Sequence, residues 1–267
     1  SSRVAPWVAY LAIGAVAAVL VPLAPRSPAQ DLAFLLVAAA TPVAMLLGVR
    51  RYRPAEPAAW RLMAAGLACW VAGGALMSLA HWTSWSPAIA PDLIRLALYP
   101  LVTAGILLLI RSRDGARRLE TVLDTAIVTT ATLMVTVVFL VGPAWATGTG
   151  PERLLDAAFP LANVLIFGAL VRLAFARGPG RLSSIAIAAA LGAMLFYQAA
   201  AAVVPALPPV ASRADALPVE WLIALVLTGA AALHPSMRGL STPAPQRTER
   251  THSRQIAIPG LALAAGP

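Results

Sequence analysis

The chain has 267 residues, of which 60% are hydrophobic and only 12% are charged, and its mean hydropathy is +0.79. A soluble domain of this length does not carry so much apolar sequence, so the composition excludes that class and favours helices in lipid. The net charge of +9 comes from arginines in short turns between apolar runs, with no lysine, which excludes a nucleic-acid-binding face. Cys69 is the only cysteine, which excludes an internal disulfide and a cysteine-based zinc site.

The apolar runs predict an all-α polytopic transmembrane bundle of about eight helices, because each run is close to the ~20 residues that cross a bilayer. The predicted spans, in chain order, cover residues 4–23, 32–49, 60–80, 93–110, 121–141, 154–176, 183–204 and 219–234. We expect a transmembrane domain over 1–240, a polar cytoplasmic linker over 241–255 and the start of a further helix over 256–267, where the chain is truncated.

Three of these spans begin a repeated helical hairpin. Each has a proline near its start, arginines at its end, a short turn and a returning apolar run; the prolines are Pro42, Pro100 and Pro160. The closest match pairs Tyr99-Pro100-Leu101 with Phe159-Pro160-Leu161. A proline inside a helix removes a hydrogen bond and favours a kink, so spans 2, 4 and 6 are candidate moving parts, and we expect Pro100 to pack against protein.

The arginines predict the orientation. Sixteen of them lie at the N-terminus, in the turns after spans 2, 4 and 6, or in the tail, and four lie on the other side, at Arg26, Arg95, Arg153 and Arg213. The positive-inside rule therefore predicts a multi-pass protein of a bacterial plasma membrane with its N-terminus and its tail in the cytoplasm. On the outer side an aromatic belt is expected from Trp82, Trp85, Trp145 and Trp221.

Polar residues near the outer ends of the spans predict a ligand pocket. Arg95 and Tyr99 share one helix face with Asp92, and helical rise brings Asn163, Tyr197 and Gln198 to a similar depth in a ~30 Å hydrocarbon core. The predicted pocket is therefore lined by Arg95, Tyr99, Asn163, Tyr197 and Gln198, with Asp92, Asp156, Glu220 and His81 at its rim. The alternative is purely structural: interhelical hydrogen bonds, with helix N-caps at the two aspartates.

Catalytic and metal-binding patterns are absent from the sequence. The three histidines, His81, His234 and His252, are predicted to lie on opposite sides or in the tail, which does not suit a metal or haem site. No HExxH, glycine-rich phosphate loop or GxSxG occurs, so we predict no cofactor, no metal and no catalytic residue in this chain.

Several stretches carry a resemblance to a known family. DLIRLALYPLVTAGILLLIRSR followed by LETVLDTAIV, then FPLANVLIFGALVRL and AALHPSMRGL, resembles the multi-pass N-terminal membrane region of actinobacterial GGDEF and EAL proteins, which make or degrade cyclic di-GMP. The resemblance implies a membrane input module that precedes cytoplasmic signalling domains. In such relatives an acid is expected at the position of Asn163 and often another near Gln198, and this chain departs from the pattern at both.

The sequence thus predicts a membrane-embedded sensory or regulatory input module whose cyclase or phosphodiesterase domains are absent from this chain. The alternatives are a small-solute transporter or channel and a membrane scaffold that binds partner proteins or lipids. The expected partners are the lipid bilayer, a small-molecule or lipid ligand on the outer side and a second copy in a homodimer, with no nucleic acid.

Overall fold

The computed structural model describes residues 5–25, 27–83, 85–86, 89–113, 152–175 and 219–241, together with 127, 129–130, 132–134, 136–142, 189–190 and 192. This part of the chain is helical and contains no strand, and the prediction of an all-α bundle of about eight helices is confirmed. The helices are α1 Pro6–Leu23, α2 Pro28–Tyr52, α3 Pro57–Trp82, α4 Ala90–Leu96, α5 Leu98–Arg113, a π-helix Val137–Val141, α6 Glu152–Phe175, α7 Val219–Leu233 and a 3₁₀-helix Pro235–Ser241.

Four of the described segments are long and apolar enough to cross a membrane. They are α1, α2, α3 and the stretch Ala90–Ser112, which combines α4 and α5. Large apolar side chains on their outer surfaces are exposed, for example Ile13 at 72% and Leu23 at 76% on α1. Surfaces of this kind are stable in contact with a lipid bilayer and unfavourable in water. Most of span 7, the linker beyond Ser241 and the run at 256–267 lie outside the described residues.

The first three helices begin at prolines. Pro6, Pro28 and Pro57 each stand in the first turn, where a backbone N–H has no partner within the helix and the fixed φ of proline suits the helix. Ser27 caps α2 by accepting a hydrogen bond from the Gln30 N–H at 3.2 Å. The spans 32–49 and 60–80 were predicted from the apolar runs alone, which leave out these prolines and the serine cap. Both predicted spans were therefore too short at both ends.

Gln30 joins the end of α1 to the start of α2. It is 5% exposed, and its Nε2 donates to the carbonyls of Val21, at 3.0 Å, and Ala24, at 2.9 Å. Val21 lies in the last turn of α1 and Ala24 is its C-cap, where carbonyls lack the N–H partners of the helix interior. A single side chain therefore terminates one helix while it lies in the first turn of the next.

Helix α7 lies between α1 and α2 and packs closely on both, whereas α1 and α2 barely touch each other. Thr41 on α2 is fully buried; its hydroxyl donates to the Leu225 carbonyl of α7 at 3.1 Å and lies 3.2 Å from the Tyr10 hydroxyl of α1. Glycines allow the close approach, since a Cβ at Gly48 would collide with the Ala232 carbonyl oxygen. We call this three-helix contact, built on Tyr10, Thr41 and Leu225, the α1–α2–α7 seam.

The rest of the described core is centred on α3. This helix packs on α2, as the predicted hairpin requires, and also on α4 and α5, and α5 in turn packs on α6. The π-helix lies against α6, and the 3₁₀-helix lies against α2, α5 and α7. Trp60 and Ile106 are fully buried where α3 meets α5. The described helices therefore run across the bundle in the order α1, α7, α2, α3, α5 and α6.

Candidate functional site

The fourth predicted span is broken into two helices. Helix α4 ends at Leu96 and α5 begins at Leu98, with a turn at Ala97 whose N–H bonds to the Ile94 carbonyl at 3.2 Å. Pro100 has no N–H and its ring crowds the carbonyl four residues earlier, at Leu96, which accounts for the position of the break. Pro100 is exposed and does not pack against protein as predicted, because its ring points away from the bundle.

Arg95 lies just before this break and extends between two aromatic rings. Its guanidinium carbon is 5.7 Å from the ring centroid of Trp70 on α3 and 5.7 Å from that of Phe159 on α6. Its Nη1 is 3.4 Å from Asp92, and both side chains are 28% exposed. Gly73 makes room for the arginine, since a Cβ there would collide with the Arg95 side chain. The cation is thus held by ring faces and by one long ion pair.

Tyr99 lies just beyond the break, on α5, and its neighbour Asn163 lies on α6. Tyr99 is 2% exposed, its ring is 6.0 Å from that of Phe159, and its hydroxyl lies beside the Asn163 side chain. Tyr99 and Phe159 are the equivalent positions of the two repeated tripeptides, so the repeat brings its own members into contact. Asn163 is 4% exposed.

Two donors at this position lack a hydrogen-bond partner. In the described part of the chain, Asn163 Nδ2 and Arg95 Nε are both buried and make no hydrogen bond. Leaving such a group unsatisfied costs on the order of 1–3 kcal/mol, and more when the group is charged. These donors would be satisfied by a ligand that carries acceptor oxygens.

Next to Arg95, aromatic side chains from three helices pack on one another, and the sequence did not predict this contact. Trp70 stacks on Trp221 of α7, with centroids 4.6 Å apart and planes at 17°, and Phe34 of α2 lies 6.1 Å from Trp70. Trp221 is only 6% exposed, so its predicted place in an outer aromatic belt was wrong, because it is covered by Trp70 on the neighbouring helix. Trp82 and Trp85 are exposed, and Trp145 lies outside the described residues.

An apolar cavity of about 50 Å³ lies about one helical turn from Arg95 and Trp70, further into the bundle. Leu67 and Leu98, each three residues from Trp70 or Arg95, line it together with Trp221 and two methionines, Met45 and Met63. The Thr228 hydroxyl at its wall donates to the Ala224 carbonyl within α7 at 2.8 Å. The cavity therefore offers apolar walls and space for only a few atoms.

The structure brings four of the nine predicted pocket residues into one cluster: Arg95, Tyr99, Asn163 and Asp92. We call these four, with Trp70 and Phe159, the Arg95 cluster. His81 lies apart from it, exposed and packed on Trp82 at 4.8 Å, about 12 Å along α3 from Gly73. Asp156 and Glu220 lie on α6 and α7, but their side chains are outside the described part, as are Tyr197 and Gln198 altogether.

The alternative role of the two aspartates as helix N-caps is wrong. The N-cap of α4 is Ile89, so Asp92 lies inside the first turn, and α6 begins at Glu152, four residues before Asp156. Asp92 still carries its charge at a helix N-terminus, where an anion is favoured.

The Arg95 cluster combines one ion pair with unpartnered donors and has walls of aromatic rings. Among the described residues, no group of three or more His, Cys, Asp or Glu side chains could hold a metal ion. The arrangement is suited to binding a carboxylate, phosphate or carbonyl group through Arg95 and Asn163, with apolar contacts from the rings.

No protein-family model matches this chain, and neither a curated protein nor a solved structure matches it.

Proposed function

We propose that the chain is a sensory input module that binds an acceptor-bearing ligand at the Arg95 cluster. The observation that carries the proposal is the pair of unpartnered buried donors, Arg95 Nε at the end of α4 and Asn163 Nδ2 on α6. Polar groups left unsatisfied at membrane depth are costly, so a ligand that satisfies them is strongly favoured. The resemblance to the membrane regions of GGDEF and EAL proteins supplies the proposed output, which is cyclic di-GMP turnover by domains outside this chain.

Through the break, a ligand bound at the Arg95 cluster could change the angle between α4 and α5. Arg95 belongs to α4 and Asn163 to α6, while Tyr99 lies on α5, so one ligand would contact three helices at the joint. The far end of α5 packs on the 3₁₀-helix Pro235–Ser241, which precedes the tail. A ligand shifts the α4–α5 angle only by its difference in affinity for two arrangements, about 1.4 kcal/mol for a tenfold population change.

In this proposal the protein is multi-pass and its arginine-rich end lies in the cytoplasm. Arginines that are exposed and come from the end of α2, the start of α3, the end of α5 and the 3₁₀-helix support the orientation; they are Arg50, Arg51, Arg53, Arg61, Arg111 and Arg238. The Arg95 cluster lies toward the opposite end and would face the outer leaflet.

The test is an assay of cyclic di-GMP synthesis and hydrolysis on the protein from its complete native reading frame, in membranes. We expect turnover, and we expect Asn163→Leu to change its rate at least several-fold. Leu165→Ala is the matched control, because Leu165 is on the same helix but 59% exposed toward lipid. A reading frame without a signalling domain, or identical rates for both variants and the parent, would overturn the proposal.

A small-solute transporter or channel is the second candidate. The discontinuous fourth span favours it, since transporters commonly place broken helices at their substrate sites. Solute flux in liposomes that is abolished by Asn163→Leu, without any cyclic di-GMP turnover, would select this alternative. An obligatory co-purifying subunit with neither activity would select a scaffold.

A further inference from the structure

The end of the bundle opposite the Arg95 cluster is closed by the 3₁₀-helix Pro235–Ser241. Its Met237 and Leu240 are fully buried between the ends of α2 and α5, and Met237 packs against Gly48. Arg238, between these two anchors, is exposed. The short helix therefore fixes the position of Arg238 relative to α2.

Tyr52, the last residue of α2, contacts two arginines. Arg238 donates through Nε to the Tyr52 carbonyl, and its guanidinium carbon is 5.6 Å from the centroid of the Tyr52 ring. Arg51 approaches the same ring at 5.8 Å. The Tyr52 hydroxyl donates to the Leu233 carbonyl at 2.9 Å, which fixes the ring. Two cations from distant parts of the chain are thus arranged around one immobilised aromatic ring.

The surrounding sequence concentrates positive charge. Arg50, Arg51 and Arg53 follow one another here, and Glu56 is the only acid between Asp31 and Asp92. Arginines at a helix C-terminus also neutralise its dipole and orient the span, and both roles need only the charge. The guanidinium of Arg238 also caps the last carbonyl of α2, and this contact holds a second cation beside the Tyr52 ring.

Apolar side chains continue from this site along α2. Val43, Leu47 and Arg51 are spaced four residues apart and so share one face of the helix. Val43 is 55% exposed and Leu47 is 51% exposed. A molecule bound to the arginine would therefore have an apolar surface directly beside it, which suits a lipid acyl chain and not a soluble anion.

We propose that Arg51 and Arg238 bind the phosphate headgroup of an anionic phospholipid in the leaflet at this end, with its acyl chain along Leu47 and Val43. Guanidinium groups match phosphate oxygens in geometry and are less strongly hydrated than ammonium groups, so they bind phosphate well at a membrane surface. Basic pockets between transmembrane helices are suited to such headgroups. The site does not depend on the Arg95 cluster or on the orientation of the protein.

The test measures lipid binding to the purified full chain in detergent, by native mass spectrometry and by thermal unfolding. We expect phosphatidylglycerol to remain bound and to raise the unfolding temperature, with phosphatidylcholine binding at least about tenfold more weakly. Arg51→Gln and Arg238→Gln should each weaken phosphatidylglycerol binding about tenfold. Arg61→Gln, an exposed arginine at the same end on α3, is the control and should change it less than about twofold.

Three outcomes would overturn the proposal. Equal affinity for the two lipids would show that the headgroup charge is not recognised. Equal losses in Arg61→Gln and Arg51→Gln would show diffuse attraction without a site. Competition by glycerol phosphate at the concentration of the lipid would show a site for a soluble anion. Arg51→Gln leaves the Arg238–Tyr52 hydrogen bond in place, so its result does not depend on that contact for folding.

Discussion

The α1–α2–α7 seam and the Arg95 cluster both bury polar groups, but they treat them differently. In the seam, Thr41 links the Tyr10 hydroxyl to the Leu225 carbonyl, and the helices approach through glycines. In the Arg95 cluster, two buried donors lack partners among the described residues and the helix is broken. A satisfied seam holds helices together, whereas the unpartnered donors of the Arg95 cluster are the reason that we propose a ligand site there.

The largest loss of stability should come from a substitution that forces the helices of the seam apart. At Gly48 an added Cβ would meet the Ala232 carbonyl oxygen, so we expect Gly48→Ala to destabilise the protein by about 3 kcal/mol, the upper end for overpacking. At Gly74 the nearest atom is 3.4 Å away, so Gly74→Ala should be neutral or gain up to ~1 kcal/mol from helix propensity. Thermal unfolding in detergent compares the two, and equal effects would mean that α2 and α7 are not in close contact.

A second pair of substitutions compares hydroxyl groups. Thr41→Val removes a hydroxyl with two partners and should cost about 1 kcal/mol. Thr103→Val on α5 removes a buried hydroxyl with no partner among the described residues, so its cost should lie within about 0.5 kcal/mol of zero or be a gain. Urea or thermal unfolding of both variants gives the difference. A larger loss for Thr103→Val would mean that its hydroxyl is bonded in the folded protein.

A third test concerns Tyr99 and Asn163 as a pair. Tyr99→Phe alone removes a buried hydroxyl beside the Asn163 side chain and should cost about 1 kcal/mol. The double variant Tyr99→Phe with Asn163→Leu removes both polar groups and should be at least as stable as the parent. Unfolding measurements on the two single variants and the double variant form a cycle. A double variant that is less stable than either single variant would favour the purely structural role of the pair.

The helices were predictable because lipid imposes length and apolar composition on each span. Proline starts at Pro28 and Pro57, and the serine cap at Ser27, could also have been found, since they are local patterns. The insertion of α7 between α1 and α2 could not, because it depends on contacts such as Thr41 with Leu225, which are 184 residues apart. Repeated hairpins predict neighbours along the chain and carry no information about such pairs.

The candidate site was predictable in part for the same reason. Arg95, Tyr99 and Asn163 stand out as polar residues in apolar runs, and helical rise places them at one depth. Trp70 and Phe159 carry no such signal, because an aromatic residue inside a span is ordinarily packing. Their role follows only from the packing of α3 and α6 around Arg95. The burial of Trp221 under Trp70 also depends on helix packing, so the sequence alone left Trp221 in the predicted belt.

The smallest effect is expected at the ion pair of Arg95 with Asp92. The two groups are 3.4 Å apart and each is 28% exposed, so solvent and the length of the contact reduce the gain. Asp92→Asn keeps the shape and should lower the free energy of unfolding by less than about 0.5 kcal/mol, with little dependence on salt. The rings of Trp70 and Phe159 would then retain Arg95 in place, so Trp70→Leu should cost more than Asp92→Asn. If Asp92→Asn proved the more damaging of the two, the arginine would be held by charge pairing and the aromatic walls would be incidental.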